Sequence, residues 1–424
     1  MTTEQLHTLF LRYPVICTDT RKITPNCLFF ALKGDNFDGN AYAADAIKKG
    51  ASYAIIEDRQ FASSEKNILV ADVLSTLQQL AKFHREYCNA KVIGLTGSNG
   101  KTTTKELITA VLSKKYKTIA TKGNLNNHIG VPLTLLSITP ETEIAIVEMG
   151  ANHAQEIAFL CQLAKPDYGY ITNFGKAHLE GFGSEEGVIM AKSELYDYLF
   201  ANNKFVFFNA DDTIQASRLN LVTSKLGFSA HPGPHLPIKI LGADPYVSLE
   251  VRELPIESKL VGRYNFTNCS AAVLIGDYFK VPLTDIKIAL ENYIPQNNRS
   301  QIIQKTSFKI VLDAYNANPT SMKAALENFQ ELKSARKIAF LGDMFELGNA
   351  AEKEHQEIAN LAAKMDFDQV FLIGENFYKT TTDLHKYKSF DQLAKSIGNI
   401  STEEATILIK GSRGMALERL VALL

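Results

Sequence analysis

Short apolar runs recur along the chain, each followed by a polar turn and then by a stretch with apolar positions three and four apart, the alternation expected of strands and covering helices. In residues 1–88 a strand is predicted at 27–32 and a polar loop at Lys33-Gly34-Asp35-Asn36-Phe37-Asp38-Gly39-Asn40. A helix at 41–50 ending on Gly50 follows, then a strand at 51–57. Between 89 and 295, strands at 91–95, 117–120, 143–147, 168–171 and 205–208 alternate with helical stretches, which predicts a mostly parallel sheet covered on both faces. Residues 210–262 lose this rhythm, and strand candidates such as 246–251 predict a small antiparallel appendage. From Arg299 a second series places strands at 308–312, 337–341, 370–373 and 406–409.

At 424 residues the chain exceeds what one core usually serves. The predicted fold is α/β in three domains. They are a small N-terminal α/β domain (1–88), a central domain with a mostly parallel sheet (89–295) and a C-terminal Rossmann-like α/β domain (296–424).

The strand at 91–95 runs into Thr96-Gly97-Ser98-Asn99-Gly100-Lys101-Thr102-Thr103, after which residues 105–116 carry apolar positions at helical spacing. Strand, Gly-rich turn and helix in that order form a phosphate loop. Gly97 and Gly100 let the backbone approach, N–H groups and the helix N-terminus receive the anion, Lys101 adds a charge, and the Thr102 hydroxyl can ligate Mg²⁺. The motif's usual first glycine is displaced, since Leu95 stands where it belongs and Gly94 precedes it. An ordinary strand-turn-helix with a chance Gly-Lys-Thr is the plainer alternative. The loop marks the central domain as a P-loop domain built for ATP or GTP.

In open α/β sheets, ligands bind beyond the carboxyl ends of the strands. Here those ends carry the phosphate loop, Asn124-Leu125-Asn126-Asn127, Glu148, and Asn173 with His178 behind it. Glu148 is placed to act as a hard oxygen ligand for Mg²⁺, whereas a loop His such as His178 is more commonly a hydrogen-bonding residue. Near the N-terminus, Thr18-Asp19-Thr20-Arg21 could grip a phosphate and a sugar hydroxyl together; a surface turn with a local ion pair is the favoured reading of the cluster by itself. No Gly-x-Gly-x-x-Gly follows the first strand of the C-terminal series, so a dinucleotide is not expected there. Its strand ends offer polar loops at Asp313-Ala314-Tyr315-Asn316-Ala317-Asn318-Pro319, Gly342-Asp343-Met344-Phe345-Glu346-Leu347-Gly348 and Lys410-Gly411-Ser412-Arg413-Gly414. These suit a small zwitterion or, more plainly, turns and helix caps.

Lys plus Arg number 45 against 46 Asp plus Glu, so no overall field draws nucleic acid and none is expected as a partner. Five scattered cysteines, never in Cys-x-x-Cys spacing, and a start without a signal-peptide pattern point to a reduced, cytoplasmic chain with no membrane insertion.

Taken together the motifs resemble the Mur ligase family, and within it the type that joins D-alanyl-D-alanine to a UDP-N-acetylmuramoyl-tripeptide. The resemblance runs from Asp19-Thr20-Arg21 and Leu28-Phe29-Phe30-Ala31-Leu32-Lys33-Gly34 through the phosphate loop to Gly123-Asn124-Leu125-Asn126-Asn127-His128. It continues with Glu148-Met149-Gly150-Ala151-Asn152-His153, Ala177-His178-Leu179-Glu180-Gly181, Ala191-Lys192-Ser193-Glu194 and the three C-terminal loops, of which Gly411-Ser412-Arg413-Gly414-Met415 separates this type from its sisters. It implies ATP-driven amide formation through an acyl phosphate, with ATP and Mg²⁺ as cofactors. Thr18, Asp19, Thr20, Arg21, Lys33, Gly34 and Asn40 would hold the UDP group. Gly97, Ser98, Asn99, Gly100, Lys101, Thr102 and Thr103 would bind ATP together with Asn268 at adenine, Arg299 at the phosphates and Asp313 at ribose. Thr102, Glu148, His178 and a carbamylated Lys192 would serve the metal, and Asn126, Asn127, Asn316 and Asn318 the peptide substrates. Lys101, Lys192 and His178 are the catalytic candidates, and a monomer is expected.

Tyr264 stands where the family usually has His, and Leu312 replaces the first acid of a common Asp-Asp pair. Without the resemblance, Lys192 reads as a solvated helix lysine beside Glu185, Glu186 or Glu194. The rival functions are a sister Mur ligase or a folylpolyglutamate-synthase-like ligase, against which the Tyr315-Asn316-Ala317-Asn318-Pro319 loop argues, and, from another class, a regulatory P-loop NTPase.

Overall fold

A computed structural model describes residues 1–295 and 298–424. The expected third domain begins at Gln296, and that residue and Asn297 lie outside the described residues. Among the described residues, four sheets of three or more strands are formed.

In the first, Ile16–Cys17, Leu28–Phe30, Tyr53–Ile56 and Asn67–Leu69 lie side by side, all parallel. Phe29, Ala54 and Ile56 meet Ala43 and Ala46 of the helix Ala43–Lys48 in one core. The helix Val73–Tyr87 begins where the Asp72 carboxylate accepts the Ser75 N–H. Its buried Val73, Leu77, Leu80, Ala81 and His84 recur at helical spacing.

The second sheet has seven strands in the order Leu236–Pro237, Lys225–Ser229, Phe205–Asn209, Tyr168–Ile171, Lys91–Thr96, Ile144–Glu148 and Thr118–Ala120. Val92, Ile93 and Leu95 are all fully buried, as befits a strand covered on both faces. The irregular stretch after residue 210 divides. Lys225–Ser229 and Leu236–Pro237 extend this sheet in parallel, while Lys239–Gly242, Tyr246–Val251 and Leu254–Val261 form the expected antiparallel appendage. The two short parallel strands escape the pattern because Lys225–Ser229 is only partly apolar and turn residues surround it.

The C-terminal sheet runs Gln301–Gln304, Lys309–Asp313, Ala405–Lys410, Arg336–Gly342, Gln369–Ile373 and His385–Tyr387, parallel except for its first pair. Side chains alternate between faces along each strand, and two cores result. Val311, Ala339, Leu341, Leu372 and Leu408 fill one; Ile310, Leu312, Ile338, Phe340, Ile373, Ile407 and Ile409 fill the other.

By packing, the chain gathers into two compact units. One comprises Met1–Gly94, Tyr116–Gly150 and Glu156–Tyr168; the other comprises Leu95–Lys115, Ala151–Gln155 and Gly169–Leu424. Among the described residues no helix is long and apolar enough to cross a membrane, and all five cysteines are buried.

Candidate active site

The phosphate loop and the C-terminal strand-end loops belong to the second unit. The helix expected from residue 105 begins earlier, at Lys101, directly after Gly100. Gly97 has φ +140°, and a Cβ there would lie 2.0 Å from Thr172 Oγ1; Gly100 has φ +78°, and a Cβ there would lie 2.6 Å from Asn268 Oδ1. Only glycine fits either position.

The strand-end residues Thr172 and Asn173 hold the loop. Ser98 N–H donates to Asn173 O (3.0 Å), Asn99 N–H to Asn173 Oδ1 (3.1 Å), and Thr172 Oγ1 to Asn99 O (2.6 Å). Lys101 folds back so that Nζ donates to Gly97 O (2.7 Å) and Ser98 O (3.3 Å). Its ammonium is thereby held over the loop at the N-terminus of the helix Lys101–Leu112, where anions bind. Asn268, expected at adenine, is buried against this loop, accepting from Thr104 Oγ1 (3.0 Å) and donating to Asn265 Oδ1 (2.7 Å).

Contacts also tie the loop to the C-terminal strand ends. Asn318 Nδ2 donates to Asn99 Oδ1 (2.7 Å), while Asn318 Oδ1 caps the helix Pro319–Glu331 by accepting Ser321 N–H (2.9 Å). Lys176 N–H donates to Thr320 Oγ1 (2.9 Å) and its Nζ to Glu354 (2.8 Å), a pairing that raises the lysine's pKa chiefly through that hydrogen bond. His178, in the left-handed region at φ 53°, has Nδ1 2.6 Å from Glu346 Oε2, an ion-pair separation without hydrogen-bond alignment. His178 holds the Glu346 carboxyl below its usual range, with Lys101 contributing a weaker field.

Lys192 is wholly buried, so the solvated reading fails. Its Nζ donates to Ala151 O (3.0 Å) and lies 4.9 Å from the Phe182 ring centre. Glu185, Glu186 and Glu194 instead meet Lys176, Arg218 and the Gln155 N–H.

Around the expected ribose residue, Asp313 accepts from Lys410 Nζ (2.5 Å) and Ser300 N–H (3.2 Å), and Ser300 Oγ bonds to Tyr264 OH (2.7 Å). Burial pushes the Tyr264 phenol well up, so it anchors Ser300 as a neutral group. Asn316 is exposed and accepts the Ala317 N–H (2.9 Å). Arg299 stacks on Tyr315, 3.6 Å from the ring centre. Lys410, Glu354 and Tyr264 received no role from the sequence, although a lysine closing the apolar run Ala405–Lys410 was a usable signal.

In the other unit, Glu148 is 1% exposed and accepts from Asn126 Nδ2 (2.8 Å). Asn127 Oδ1 accepts from Ile129 and Gly130 N–H at the start of the helix Gly130–Leu135. Both asparagines shape this turn. Asp19 and Arg21 form a bidentate pair (2.9 and 2.8 Å) that, with the Arg21 N–H, draws the Asp19 carboxyl down to about 2. Lys33 pairs with Glu57 (3.0 Å), and the buried Asn40 Oδ1 accepts from Glu57 and Asp58 N–H. Thr18, Thr20 and Gly34 flank these groups.

The donor types suit Mg²⁺. The second unit offers the buried Thr102 hydroxyl; in the other unit, taken by itself, Glu148 offers a buried carboxylate. Among the described residues no three His, Cys, Asp or Glu side chains gather to hold a metal by themselves.

Residues 12–107 match the Mur ligase family catalytic domain, 95–276 the Mur ligase middle domain, and 298–413 the Mur ligase glutamate ligase domain. The UDP-N-acetylmuramoyl-tripeptide--D-alanyl-D-alanine ligases of Bacillus subtilis and Escherichia coli are 35% and 34% identical, each over 96% of this chain and 92% of the relative. The chain belongs to the Mur ligase family. Among solved structures, the MurF of Acinetobacter baumannii superposes with a TM-score of 0.88 at 30% identity, covering 99% of this chain and 98% of that one. The MurF ligase of Thermotoga maritima, in complex with ADP, gives 0.85 at 25% identity over 97% of each. Mur ligase architecture accounts for the three α/β parts and the mostly parallel central sheet.

Proposed function

We infer that this chain is an ATP-dependent ligase that joins D-alanyl-D-alanine to a UDP-N-acetylmuramoyl-tripeptide in peptidoglycan precursor synthesis, forming ADP and phosphate. The observation that carries the reading is the glycine-cradled phosphate loop with Lys101 drawn over it, in a chain whose relatives across nearly its whole length bear that ligase name. The tripeptide carboxylate attacks the γ-phosphorus of ATP and ADP leaves, giving an acyl phosphate. The dipeptide amine then attacks the acyl carbon, the C–O bond to phosphate breaks, and the amine gives up a proton. Such chemistry asks the protein for positioning and charge neutralisation. Lys101 and the loop residues Gly97, Ser98, Asn99, Gly100, Thr102 and Thr103 surround the phosphates in this assignment.

Asn268 borders the adenine, Arg299 the phosphates and Asp313 the ribose. Thr102, Glu148, His178 and a carbamylated Lys192 are the residues that would hold Mg²⁺, whose charge offsets that of the phosphates. Thr18, Asp19, Thr20, Arg21, Lys33, Gly34 and Asn40 take the UDP end. Asn126, Asn127, Asn316 and Asn318 take the peptides, chiefly by fixing their loops. We assign these roles to three domains, 1–88, 89–295 and 296–424, of a cytoplasmic monomer. Phosphate release measured with ATP, UDP-muramoyl-tripeptide and D-alanyl-D-alanine, each omitted in turn, tests the reading. Release should need all three; release independent of both peptides would favour a regulatory NTPase.

A further inference from the structure

A wholly buried histidine stands beneath the strand-end loop that reaches His178. His355 belongs to the helix Ala351–Ala363 and is 0% exposed. Its Nε2 accepts the Met344 N–H (3.0 Å), which leaves the ring proton on Nδ1, 2.6 Å from Ala351 O. The ring is therefore neutral and in a single tautomer. Burial lowers its pKa, against the raising pull of Ala351 O, Asp343 and Glu354. Asp343 Oδ1 lies 3.6 Å from Nε2, but that carboxylate is turned to the Asn376 and Phe377 N–H groups (2.9 Å each).

Where the strand Arg336–Gly342 ends, three successive N–H groups each find a different partner. Asp343 N–H donates to Ile373 O (3.0 Å), Met344 N–H to His355, and Phe345 N–H to Ser412 Oγ (2.9 Å). The chain then passes through Glu346 in the left-handed region at φ 62°, a conformation that a glutamate keeps only where its surroundings impose it. Glu346 O accepts the Glu180 N–H (3.1 Å), and its carboxylate lies 2.6 Å from His178 Nδ1. The neighbour of His355 reaches the same segment from the other side, since Glu354 binds the Lys176 ammonium (2.8 Å). One helix thus braces the His178 segment directly and, through Met344, the carboxylate that faces it.

We propose that His355 is a positioning residue for the reaction: by accepting the Met344 N–H it fixes the turn from which Glu346 faces His178, and so fixes the His178 ring. This rests on the ligase function above, in which His178 serves the reacting phosphates through the metal. His355 touches no reacting atom. Its part is to supply an acceptor at one point in a buried turn, where an unpaired N–H would let the backbone shift toward another partner.

The test compares His355→Gln with His355→Asn. A glutamine amide reaches the place of Nε2 and offers the Met344 N–H an acceptor; an asparagine amide reaches only the place of Nδ1, keeping the Ala351 bond and leaving Met344 unpaired. Both lose the same buried ring, so a cost in stability falls on both alike. His355→Asn should lower kcat by roughly ten- to a hundredfold, the effect of a small misplacement, with KM for ATP, the UDP-tripeptide and the dipeptide within about twofold. His355→Gln should keep kcat within about threefold of the unaltered chain. In a Glu346→Ala background the two variants should be equal, because the contact in which they differ then has nothing to position. Hydrogen exchange read by mass spectrometry is independent of activity: residues 342–348 should exchange faster in His355→Asn, and as slowly in His355→Gln as in the unaltered chain. Equal kcat in the two variants, an Asn deficit that survives Glu346→Ala undiminished, equal exchange, or collapse of the fold in His355→Gln would overturn the assignment and leave the ligase function standing. Absence of dipeptide-dependent turnover in the unaltered chain would overturn that function, and this assignment with it.

Discussion

At Lys101 the side chain has little to do with the core and much to do with the loop it covers, so its loss should be felt in chemistry and not in folding. Lys101→Ala is expected to slow phosphoryl transfer by at least about a hundredfold, or ~3 kcal/mol, with an unchanged thermal melt; near-normal turnover would remove the phosphate loop from the mechanism. Lys192 is the opposite case, buried and held by Ala151 O. Carbamylation requires a neutral amine, and removal from water favours that form in general. Lys192→Ala should therefore lose nearly all activity and regain part of it when short carboxylic acids are added in the carbamate's place. A fully active variant, or failure of every small acid to restore turnover in a folded one, would contradict this.

At the level of elements, much was legible because strands buried on both faces announce themselves as apolar runs. Every expected strand of the central and C-terminal series is present, most with ends shifted by a residue and Tyr168–Ile171 with none. What escaped was set by neighbours in space rather than in sequence. Lys225–Ser229 is a strand because Phe205–Asn209 pairs with it. Motif spacing did not reveal that the side-chain oxygens of Asn318, Asn127 and Asn40 accept the backbone N–H groups of Ser321, Gly130 and Glu57. The two glycines of the phosphate loop were readable from spacing alone, whereas the Thr172 and Asn268 atoms that exclude a Cβ there were not.

One such tertiary device joins the helices Thr3–Arg12 and Val73–Tyr87. His7 Nε2 lies 3.0 Å from His84 Nδ1, and His84 Nε2 bonds to Ile138 O (2.8 Å). Because that carbonyl needs a donor, His84 Nδ1 is the acceptor and His7 the donor, with both rings neutral. Burial lowers both pKa values, aided at His7 by the neighbouring ring. A lowered histidine pKa means that the folded state binds fewer protons, so the stabilisation is present above the unfolded value near 6.5 and is lost as pH falls through the folded values. Urea midpoints should thus fall between pH 8 and pH 5 by more in the native chain than in His7→Phe, where carboxylate contributions are the same. Equal falls would contradict the neutral pair.

At the scale of the whole molecule, the second unit joins the phosphate loop to the C-terminal sheet through Asn99–Asn318, Lys176–Glu354 and the core shared by Leu179, Val188 and Val261 with Met322, Leu341 and Leu347. Glu354 is nearly buried and serves the Lys176 ammonium directly. Glu354→Gln should lower kcat by about tenfold, the effect of ~1.4 kcal/mol on a positioned loop, and leave the far-ultraviolet circular dichroism unchanged; an unaltered kcat would deny the pair a part in catalysis. The central claim, that the tripeptide carboxylate is activated by phosphoryl transfer before the amide forms, has a direct measurement. UDP-muramoyl-tripeptide labelled with ¹⁸O in its terminal carboxylate is turned over with ATP and D-alanyl-D-alanine, and the released phosphate is weighed by mass spectrometry. The expected result is one ¹⁸O in each phosphate formed; phosphate whose added oxygen comes only from water would contradict the account.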